Sequence, residues 1–577
     1  MRLNATRLQS LRKTSAKAWK VFFALQTSLV LACITLAQSE GTRKQPILGQ
    51  SPRYVNPLNL PANSTDGSAQ GVSLGDPTVL RDGSLYYMFA TGATNRFAPQ
   101  GGAWVSTDLV HWSWKSLDEH SARVPVAPHV VKFNGMFYMA GNGSPLYRSA
   151  NILGPYVEVG PWLDDQGRPF SQSPTPHGGT RSIFDVCIFV DKNDKPYVYM
   201  AYGMTYGVWG APLDPNQLNH LAAPPTDLMK FNPNHVWERA GDSNERTYFD
   251  YIEGPWVFEH GGTYYLEYSA SGTEWLTYST GVYTAKKPLG PYTFMPGNPL
   301  LRQTHGVNTG PGHGSAVLGP EGNWWQFYLT VLPSPPGGRR IGMDPIGFER
   351  NGRMFIRGGV PSETPQWAPG VVADPVRDGD AGSIPLTFGK TRAMIVSSER
   401  PGHEAGYALD NFNGTWWEPA DADMRPTLTV DLLAIPPFLP YTIDSTRIQF
   451  HAINVPLQGG NGRGRAAGPG ATGVGLAPFG RGPAAPPPQD LVFSGSIAFR
   501  YKMEASVDGE QWVTVVDKTN NNVTRYTEFD DFHPALARFV RVTFTDWPRS
   551  VAQPLGIVEF TVFGKYIEQP LKSAKSQ

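Results

Sequence analysis

The chain has 577 residues, with 49 Lys and Arg balanced by 49 Asp and Glu, and only 17% of the residues are charged. This length exceeds one ordinary domain, and a balanced chain without a basic stripe argues against a nucleic-acid-binding protein. The two cysteines, Cys33 and Cys187, do not provide a disulfide framework.

The first 37 residues are predicted to be an export signal. They carry basic but no acidic residues, and a largely apolar run over 21–37 ends in small residues before Gln38. We therefore expect a secreted or periplasmic protein that is free of the membrane after signal cleavage. An uncleaved anchor is the alternative, because this 17-residue run just reaches across a bilayer. Residues 38–69 are polar and are predicted to be a linker.

From residue 70 to 365 the chain repeats one pattern five times. Each repeat has a short aromatic strand, and the five strands are Leu85–Phe89, Met136–Met139, Pro196–Tyr199, Tyr264–Tyr268 and Trp324–Tyr328. A turn precedes each strand by ten to twelve residues, and the turns are Asp76-Pro77, Ala127-Pro128, Phe184-Asp185, Glu253-Gly254-Pro255 and Gly312-His313-Gly314. Such a period, with several strands per unit, is typical of a five-bladed β-propeller in an all-β chain.

Equivalent positions of successive blades face one axis. We therefore expect Asp76, Asp185, Glu253 and His313 to converge at one end of that axis, as a candidate active site. Each residue alone also has a structural interpretation. Asp76 and Glu253 suit simple turns, Asp185 suits a buried pair with Arg340, and His313 suits a backbone hydrogen bond.

The C-terminal part is predicted to be a second β unit. Residues 366–390, rich in Pro, Gly and Asp, are predicted to be a linker. Between 391 and 566, alternating patterns typical of a β-sandwich occupy Leu428–Leu432, Arg447–Phe450, Tyr501–Ser506 and Phe539–Thr543. The Gly/Pro-rich tract 457–490 cannot build a packed core and is predicted to be a disordered insertion, and 567–577 is a tail.

The order of motifs in the first unit resembles glycoside hydrolase family 43. The resemblance is carried by Gly75-Asp76-Pro77, Trp104–Trp112, Ala127-Pro128, Ser182–Asp185, Glu253-Gly254-Pro255, Gly312–Ser315 and Gly338-Arg339-Arg340. It covers about half the chain and implies a five-bladed propeller and an inverting glycosidase.

The resemblance also implies roles for the candidate residues. Asp76 would be the catalytic base, Glu253 the general acid, and Asp185 the carboxylate that positions the acid and tunes its pKa. Inversion needs one carboxyl to protonate the leaving oxygen and another to deprotonate water. His313 would be the axial histidine, and Arg340 the arginine that borders the catalytic subsite.

Three further expectations concern binding. Trp104 is a candidate for stacking on a sugar, with burial as the alternative. No cofactor is expected to be required, and a structural calcium or sodium ion near His313 is implied by the resemblance alone. Many family members carry Tyr-His where this chain has Tyr328-Leu329, which leaves the outer substrate contacts open.

The second unit resembles the discoidin, or coagulation-factor type C, jelly roll that carbohydrate-binding module family 32 uses. The matching stretches are Ala408–Asn411, Thr415-Trp416-Trp417, Leu428–Leu432, Glu504–Trp512, Ala537–Val542 and Gly556–Gly564. Trp416 and Trp417 are expected to belong to the sandwich core. The resemblance is specific for fold and weak for ligand.

We therefore expect a secreted glycosidase acting on plant-type polysaccharide or oligosaccharide, as an α-L-arabinofuranosidase, arabinanase or β-xylosidase. Nucleic-acid, membrane and protein partners are not expected. The alternative is a catalytically inactive propeller that serves as a carbohydrate-binding module. A fructan- or sucrose-cleaving propeller is disfavoured by Ser73-Leu74-Gly75 ahead of Asp76-Pro77. Asn63, Asn413 and Asn522 begin sequons that a glycosylating host would recognise.

Overall fold

The computed structural model describes residues 51–61, 74–94, 99–202, 206–247, 251–332, 338–432, 440–451, 498–547 and 556–566. The predicted export signal, the insertion 457–490, the tail and most of the first predicted linker lie outside these residues. No helix within the described ranges has the length and apolar character that crossing a bilayer requires.

Five antiparallel sheets follow one another between residues 75 and 356 of the described chain, after a short strand β1 (Arg53–Tyr54). The strands of the five sheets are β2 (Gly75–Asp82), β3 (Leu85–Thr91), β4 (Gly102–Ser106), β5 (Trp112–Ser116); β6 (His129–Phe133), β7 (Met136–Ala140), β8 (Leu146–Ser149), β9 (Val157–Gly160); β10 (Cys187–Val190), β11 (Pro196–Ala201), β12 (Val208–Asp214), β13 (Gln217–Leu221), β14 (Thr226–Met229); β15 (Ile252–His260), β16 (Thr263–Ala270), β17 (Ser279–Ala285), β18 (Thr293–Phe294), β19 (Leu301–Arg302); and β20 (Gly312–Leu318), β21 (Trp324–Leu332), β22 (Gly338–Phe348), β23 (Met354–Ile356). The five predicted aromatic strands are confirmed as the second strand of each sheet, which gives a five-bladed propeller.

In the second and fourth blades the first two strands are joined by tight two-residue turns that the local sequence favours. Asn134 and Gly135 have φ values of 47° and 77°, and Gly261 and Gly262 have 57° and 75°. Two consecutive residues with positive φ form the type I′ turn, whose twist matches that of a β-hairpin.

Hydrogen bonds join the first blade, and the segment that precedes it, to the last blade. Leu74 N–H donates to the Arg339 carbonyl at 3.1 Å, and Leu58 N–H donates to the Ile341 carbonyl at 2.8 Å. Val79 N–H of β2 donates to Ser315 Oγ of β20 at 3.0 Å. These contacts close the ring and bring the start of β2 beside the end of the chain's last blade.

The remaining elements form a β-sandwich. In chain order they are β24 (Gln366–Trp367), the one-turn helix α1 (Pro375–Asp378), β25 (Ile384–Pro385), β26 (Met394–Val396), β27 (Thr427–Asp431), β28 (Tyr441–Phe450), β29 (Arg500–Ser506), β30 (Val513–Asp517), β31 (Thr527–Ala537), β32 (Phe539–Asp546) and β33 (Ile557–Lys565). One sheet has the order β25-β33-β28-β31 and the other β26-β27-β32-β29-β30. Short 3-10 turns lie at Phe170–Gln172, Val236–Glu238, Arg357–Gly359 and Ala405–Leu409. Trp417 is fully buried in the sandwich core, whereas Trp416 is half-buried.

The predicted linker 366–390 contains paired structure. Its strand β24 pairs with β1, and β25 pairs with β33 at the edge of the sandwich. Strand β25 needs only two residues of backbone pairing because it adds to the edge of an existing sheet, whereas β24 and β1 form a separate two-stranded sheet. The segment is therefore tied both to the strand that precedes the propeller and to the sandwich.

One face of the sheet β25-β33-β28-β31 packs against the propeller side of the chain, and we call this contact the seam. Val55 forms a small apolar cluster there with Phe529 and Phe563. The Arg447 guanidinium, fully buried, donates from Nη1 to the Asn56 carbonyl at 2.6 Å. The seam also contains Asn413, which is 1% exposed, so this sequon is inaccessible in the folded chain.

Candidate active site

In each blade, one residue at or just before the first strand has a positive φ, in the left-handed region of backbone conformation. These residues are Asp76 (φ 52°), Ala127 (47°), Asp185 (50°), Gly254 (61°) and His313 (33°). In the first, fourth and fifth blades the pairing register shifts at this point, as in a β-bulge. The repeated turn in the sequence is therefore a repeated backbone distortion. In the fourth blade Gly254 takes the distorted position and Glu253 lies one residue before it.

Asp76 is buried and surrounded by donors. Arg339 Nη1 donates to its two carboxylate oxygens at 3.0 and 3.1 Å, and the Thr91 hydroxyl donates to Oδ2 at 2.5 Å. His313 Nδ1 lies 3.3 Å from Oδ1. Burial raises the pKa of Asp76, but the charges of Arg339 and His313 and these hydrogen bonds outweigh burial and hold that pKa below its ordinary value. Asp76 is therefore ionised at neutral pH.

Asp185 is held by an asparagine and by the neighbouring blade. Asn142 Nδ2 donates to Oδ1 of Asp185 at 3.0 Å, and Asn142 Oδ1 accepts from the Asp185 N–H at 2.6 Å. The Gly254 N–H donates to Oδ2 at 2.9 Å. Burial, and then the like charge of Asp76, raise the pKa of Asp185, although His313 acts in the opposite direction. Asp185 thus touches the residue that follows Glu253.

Of the three axial carboxyls, Glu253 accepts the fewest hydrogen bonds among the described residues. The Tyr278 hydroxyl donates to Oε1 at 2.7 Å. Burial raises the pKa of Glu253 well above its ordinary value, and the charge of Asp185 acts in the same direction, against the Tyr278 hydrogen bond. Glu253 therefore keeps its proton at a pH at which Asp76 has lost its own.

His313 lies between the carboxylates. Its ring Nδ1 is 3.3 Å from Asp76 Oδ1 and 3.7 Å from Asp185 Oδ2. Its backbone N–H donates to Ser269 Oγ at 2.6 Å. A Cβ on Gly254 would lie 2.8 Å from Cγ of His313. Glycine follows Glu253 both because of its positive φ and because the histidine ring fills the space where a side chain would be.

Comparison with known proteins explains this arrangement. The sequence model of the family described as "Glycosyl hydrolases family 43" matches residues 71–354, and that described as "F5/8 type C domain" matches residues 493–557. The propeller is a family 43 glycoside hydrolase domain. Family 43 consists of inverting glycosidases, so the chain is an inverting O-glycosyl hydrolase that takes a carbohydrate substrate and carries a C-terminal discoidin-type sandwich.

Three curated relatives are similar to parts of the chain. The "Putative beta-xylosidase" of Escherichia coli (strain K12) is 27% identical over 59% of this chain and 68% of its own length. The "Beta-D-galactofuranosidase xynD" of Aspergillus niger is 26% identical over 34% of this chain and 48% of its own length. The "Extracellular endo-alpha-(1->5)-L-arabinanase 2" of Bacillus subtilis (strain 168) is 26% identical over 40% and 52%. This chain thus spans about half the length of the last two.

The arginine that contacts Asp76 is Arg339, whereas Arg340, predicted to border the catalytic subsite, lies elsewhere. Arg339 faces Val331 across the β21–β22 ladder, and its neighbour Arg340 points to the opposite face of β22. Arg340 lies over the ring of Tyr526 at 5.4 Å, at the seam, and burial lowers its pKa to about 10. Asp185 consequently has Asn142, not Arg340, as its partner.

Trp104 is a core residue and not a surface for sugar stacking. It is 0% exposed, packs edge-on against Trp114 at 4.6 Å, and donates from Nε1 to the Pro61 carbonyl at 2.9 Å. Cys187 is a buried thiol, and burial raises its pKa to about 12, so it is unreactive.

The residues near His313 do not form an obvious ion cage. Among the described residues, no group of three or more His, Cys, Asp or Glu side chains is arranged to hold a metal ion. The calcium or sodium ion near His313 stays a prediction, to be checked by elemental analysis of the purified protein.

Four residues that contact the carboxyls were absent from the sequence-based prediction: Thr91, Asn142, Tyr278 and Arg339. Arg339 was within reach of prediction, since it belongs to the Gly338-Arg339-Arg340 motif. A second signal is Gly75, where a Cβ would lie 2.4 Å from the Arg339 Cζ. The other three lie outside the recurring turns, so no pattern marks them.

Proposed function

We propose that this chain releases α-L-arabinofuranosyl or β-xylosyl units from plant-type polysaccharides or oligosaccharides outside the cytoplasm, with Asp76 as base and Glu253 as acid. One observation carries the mechanism: Asp76, which lies beside His313, and Glu253, which feels the charge of Asp185, have pKa values shifted in opposite directions. Two carboxyls of opposite protonation state are what glycoside hydrolysis with inversion requires. The sugar class is supported by the similarity to a protein named a putative beta-xylosidase and to one named an arabinanase.

In the proposed reaction Asp76 accepts the proton of a water molecule that attacks the anomeric carbon. Its ionised state is maintained by Arg339 and Thr91, which donate to the same carboxylate. The water oxygen forms its bond to the anomeric carbon as this proton moves to Asp76, and until then the negative charge of Asp76 stabilises the positive charge that develops on the sugar ring.

Glu253 gives its proton to the oxygen of the leaving group while the glycosidic bond breaks. The hydrogen bond from Tyr278 to Oε1 leaves Oε2 of Glu253 as the oxygen that carries the proton. After product release Asp76 gives its proton to solvent and Glu253 regains one from solvent, which completes the cycle without a covalent intermediate.

Asp185 acts through Glu253. Its negative charge raises the pKa of the acid, and its hydrogen bond to the Gly254 N–H fixes the backbone on which Glu253 sits. The sandwich would add a second attachment point for the polymer, which raises the effective substrate concentration at the propeller.

The test is hydrolysis of 4-nitrophenyl α-L-arabinofuranoside, 4-nitrophenyl β-D-xyloside, arabinan and xylan. Glu253→Gln should lower kcat on any polysaccharide substrate by about 10²- to 10⁴-fold, the usual contribution of a general acid. Glu158→Gln is the matched control, because Glu158 is an exposed glutamate on β9, and it should retain wild-type turnover.

Two outcomes contradict the proposal. Turnover by Glu253→Gln near the wild-type rate would remove the mechanism. No hydrolysis by wild type on any of the four substrates would remove the sugar assignment, and binding to a glycan array would then separate another glycan specificity from a binding-only propeller.

A further inference from the structure

A second polar pocket lies beside the axial site and has no role in the proposed reaction. It is lined by Arg181, Ser182, His177, Tyr202, Tyr206 and Trp209, among others, and has a volume of about 80 Å³. Ser182 precedes Asp185 by three residues, so their Cα atoms lie within about 11 Å of each other. The pocket is therefore near enough to touch a sugar that is joined to the one being cleaved.

The loop that forms one wall is well ordered by internal hydrogen bonds. Thr175 N–H donates to the Gly179 carbonyl at 3.1 Å, and the Thr175 hydroxyl donates to the Gly178 carbonyl at 2.7 Å. Arg181 N–H donates to the Ser173 carbonyl at 2.8 Å. This wall is pre-formed, which reduces the entropy that a ligand must remove on binding.

The opposite wall presents flat rings to solvent. The imidazole of His177 stacks on the ring of Tyr206, with centroids 4.4 Å apart and planes at 8°. Tyr206 is 48% exposed, although an aromatic ring of this size is usually buried. The ring of Tyr202 packs edge-on against His177, with centroids 4.8 Å apart, and its hydroxyl donates to Asp227 at 2.5 Å. Exposed rings of this kind suit the apolar face of a sugar.

Arg181 gives the pocket a positive charge. Its guanidinium lies over Trp209 at 5.2 Å, and Nε donates to Ser173 Oγ at 3.2 Å. Nη1 is buried and has no hydrogen-bond partner within the described residues. Arg181 also contacts the Tyr202 hydroxyl, which donates to Asp227. Among the described residues no carboxylate forms an ion pair with Arg181, and Asp227 pairs with His177 at 3.5 Å. A guanidinium with spare donors is matched by a carboxylate.

We propose that this pocket is a subsite for a uronic acid next to the sugar that the propeller cleaves. The ring of the uronic acid would lie on Tyr206 and His177, and its carboxylate would enter the pocket to bind Arg181. A volume of about 80 Å³ holds a few water molecules or a carboxylate, but not a whole sugar ring. The assignment rests on the proposed function, because it gives that same active site a preference for acidic polysaccharide.

The experiment measures binding without turnover, in the Glu253→Gln protein. The probes are methyl β-D-glucuronide and methyl α-D-galacturonide, each beside its neutral partner, methyl β-D-glucoside or methyl α-D-galactoside. Titrations followed by saturation-transfer NMR should show at least one uronide binding ten-fold or more tightly than its neutral partner. The two uronides distinguish a glucuronate from a galacturonate source.

Three variants locate the binding. Arg181→Gln should abolish the preference for the uronide, and Tyr206→Ala, which changes an exposed side chain and so preserves folding, should weaken uronide binding three-fold or more. Arg148→Gln is the matched control, because Arg148 is an exposed arginine on β8, and it should leave the preference unchanged.

Equal affinity for uronide and neutral glycoside, no detectable binding of either uronide, or a preference that survives both Arg181→Gln and Tyr206→Ala would each overturn the proposal. Hydrolysis of the nitrophenyl glycosides is a separate measurement, so failure of the subsite is distinguishable from failure of the proposed function.

Discussion

Buried charges occur both at the axial site and at the seam, but their surroundings differ. At the axial site Asp76 receives hydrogen bonds from Arg339 and Thr91, and Asp185 from Asn142 and Gly254. At the seam, Nε and Nη2 of Arg340 and both polar atoms of the Gln449 amide have no hydrogen-bond partner among the described residues. The axial charges are held in fixed geometry by hydrogen bonds, as a reaction requires. The buried polar atoms of the seam are either hydrogen-bonded by water or left without a hydrogen bond.

The two regions are also physically joined. Asn413 of the sandwich donates from Nδ2 to Thr309 Oγ1 at 2.9 Å and to the Val331 carbonyl at 3.2 Å. Val331 faces Arg339 across the ladder, and Arg339 holds Asp76. The sandwich thus contacts the strand pair β21–β22, which carries Arg339 of the catalytic centre. The comparison can therefore be tested by substitutions at the axial site and at the seam.

The largest effect is expected from Asp76→Asn. An amide cannot accept the proton of the attacking water, so kcat should fall by about 10²- to 10⁴-fold. Because Asn keeps the shape of Asp and most of its hydrogen bonds, the thermal midpoint should change little. Initial rates and a melting curve are measured together. A large loss of stability with residual activity per folded molecule would mean that Asp76 is structural, as the simple-turn interpretation has it.

At the seam, Arg447→Met should reduce stability without a direct effect on chemistry. Arg447 lies 3.6 Å from Glu363 and donates to the Asn56 carbonyl, and it is fully buried. Removing one member of a buried pair costs about 3 kcal/mol in the free energy of unfolding. Urea unfolding measures the loss.

Arg500→Met is the control for the seam variant. Arg500 lies 3.1 Å from Asp546 in a partly exposed ion pair, and losing such a pair should cost less than about 1 kcal/mol. Equal losses in the two variants would mean that the seam contributes no special stability, and the contrast between the two regions would then lie only in the catalytic centre.

Asn413→Ala tests whether a contact at the seam influences the pKa of Asp76 in the catalytic centre. Loss of the hydrogen bond to Val331 should loosen the strand pair at Arg339, and a weaker Arg339 contact lets the pKa of Asp76 rise. Activity is lost as pH falls through that pKa, so the acid limb of the kcat profile should move to higher pH and kcat should fall about five-fold, with KM unchanged.

Asn521→Ala provides the control, because Asn521 makes comparable hydrogen bonds to Phe499 and Val523 inside the sandwich. It should cost similar stability and leave the acid limb in place. An identical shift in both variants would show that general destabilisation, not the contact with blade five, moves the profile.

The sequence predicts the axial site far better than the seam. Asp76, Asp185, Glu253 and His313 are predictable because propeller blades repeat one turn, and each turn delivers its residue to the same axis. Arg339 and Arg340 are neighbours on one strand, so their side chains lie on opposite faces of the sheet. The amino-acid composition does not reveal which of the two faces the axial site. The seam joins distant residues such as Asn56 and Arg447 through polar contacts that follow no period.

The smallest change we expect is the one that best isolates electrostatics. In Asp185→Asn the like charge beside Glu253 is removed while burial is kept, so the pKa of Glu253 should fall towards its ordinary value. Glu253 must be protonated to act as acid, and activity is lost as pH rises through its pKa. The alkaline limb should therefore move to lower pH by roughly one unit, while the acid limb, governed by Asp76, stays in place. A profile whose alkaline limb is unchanged would mean that burial alone sets the pKa of Glu253, and that Asp185 serves only to hold Gly254.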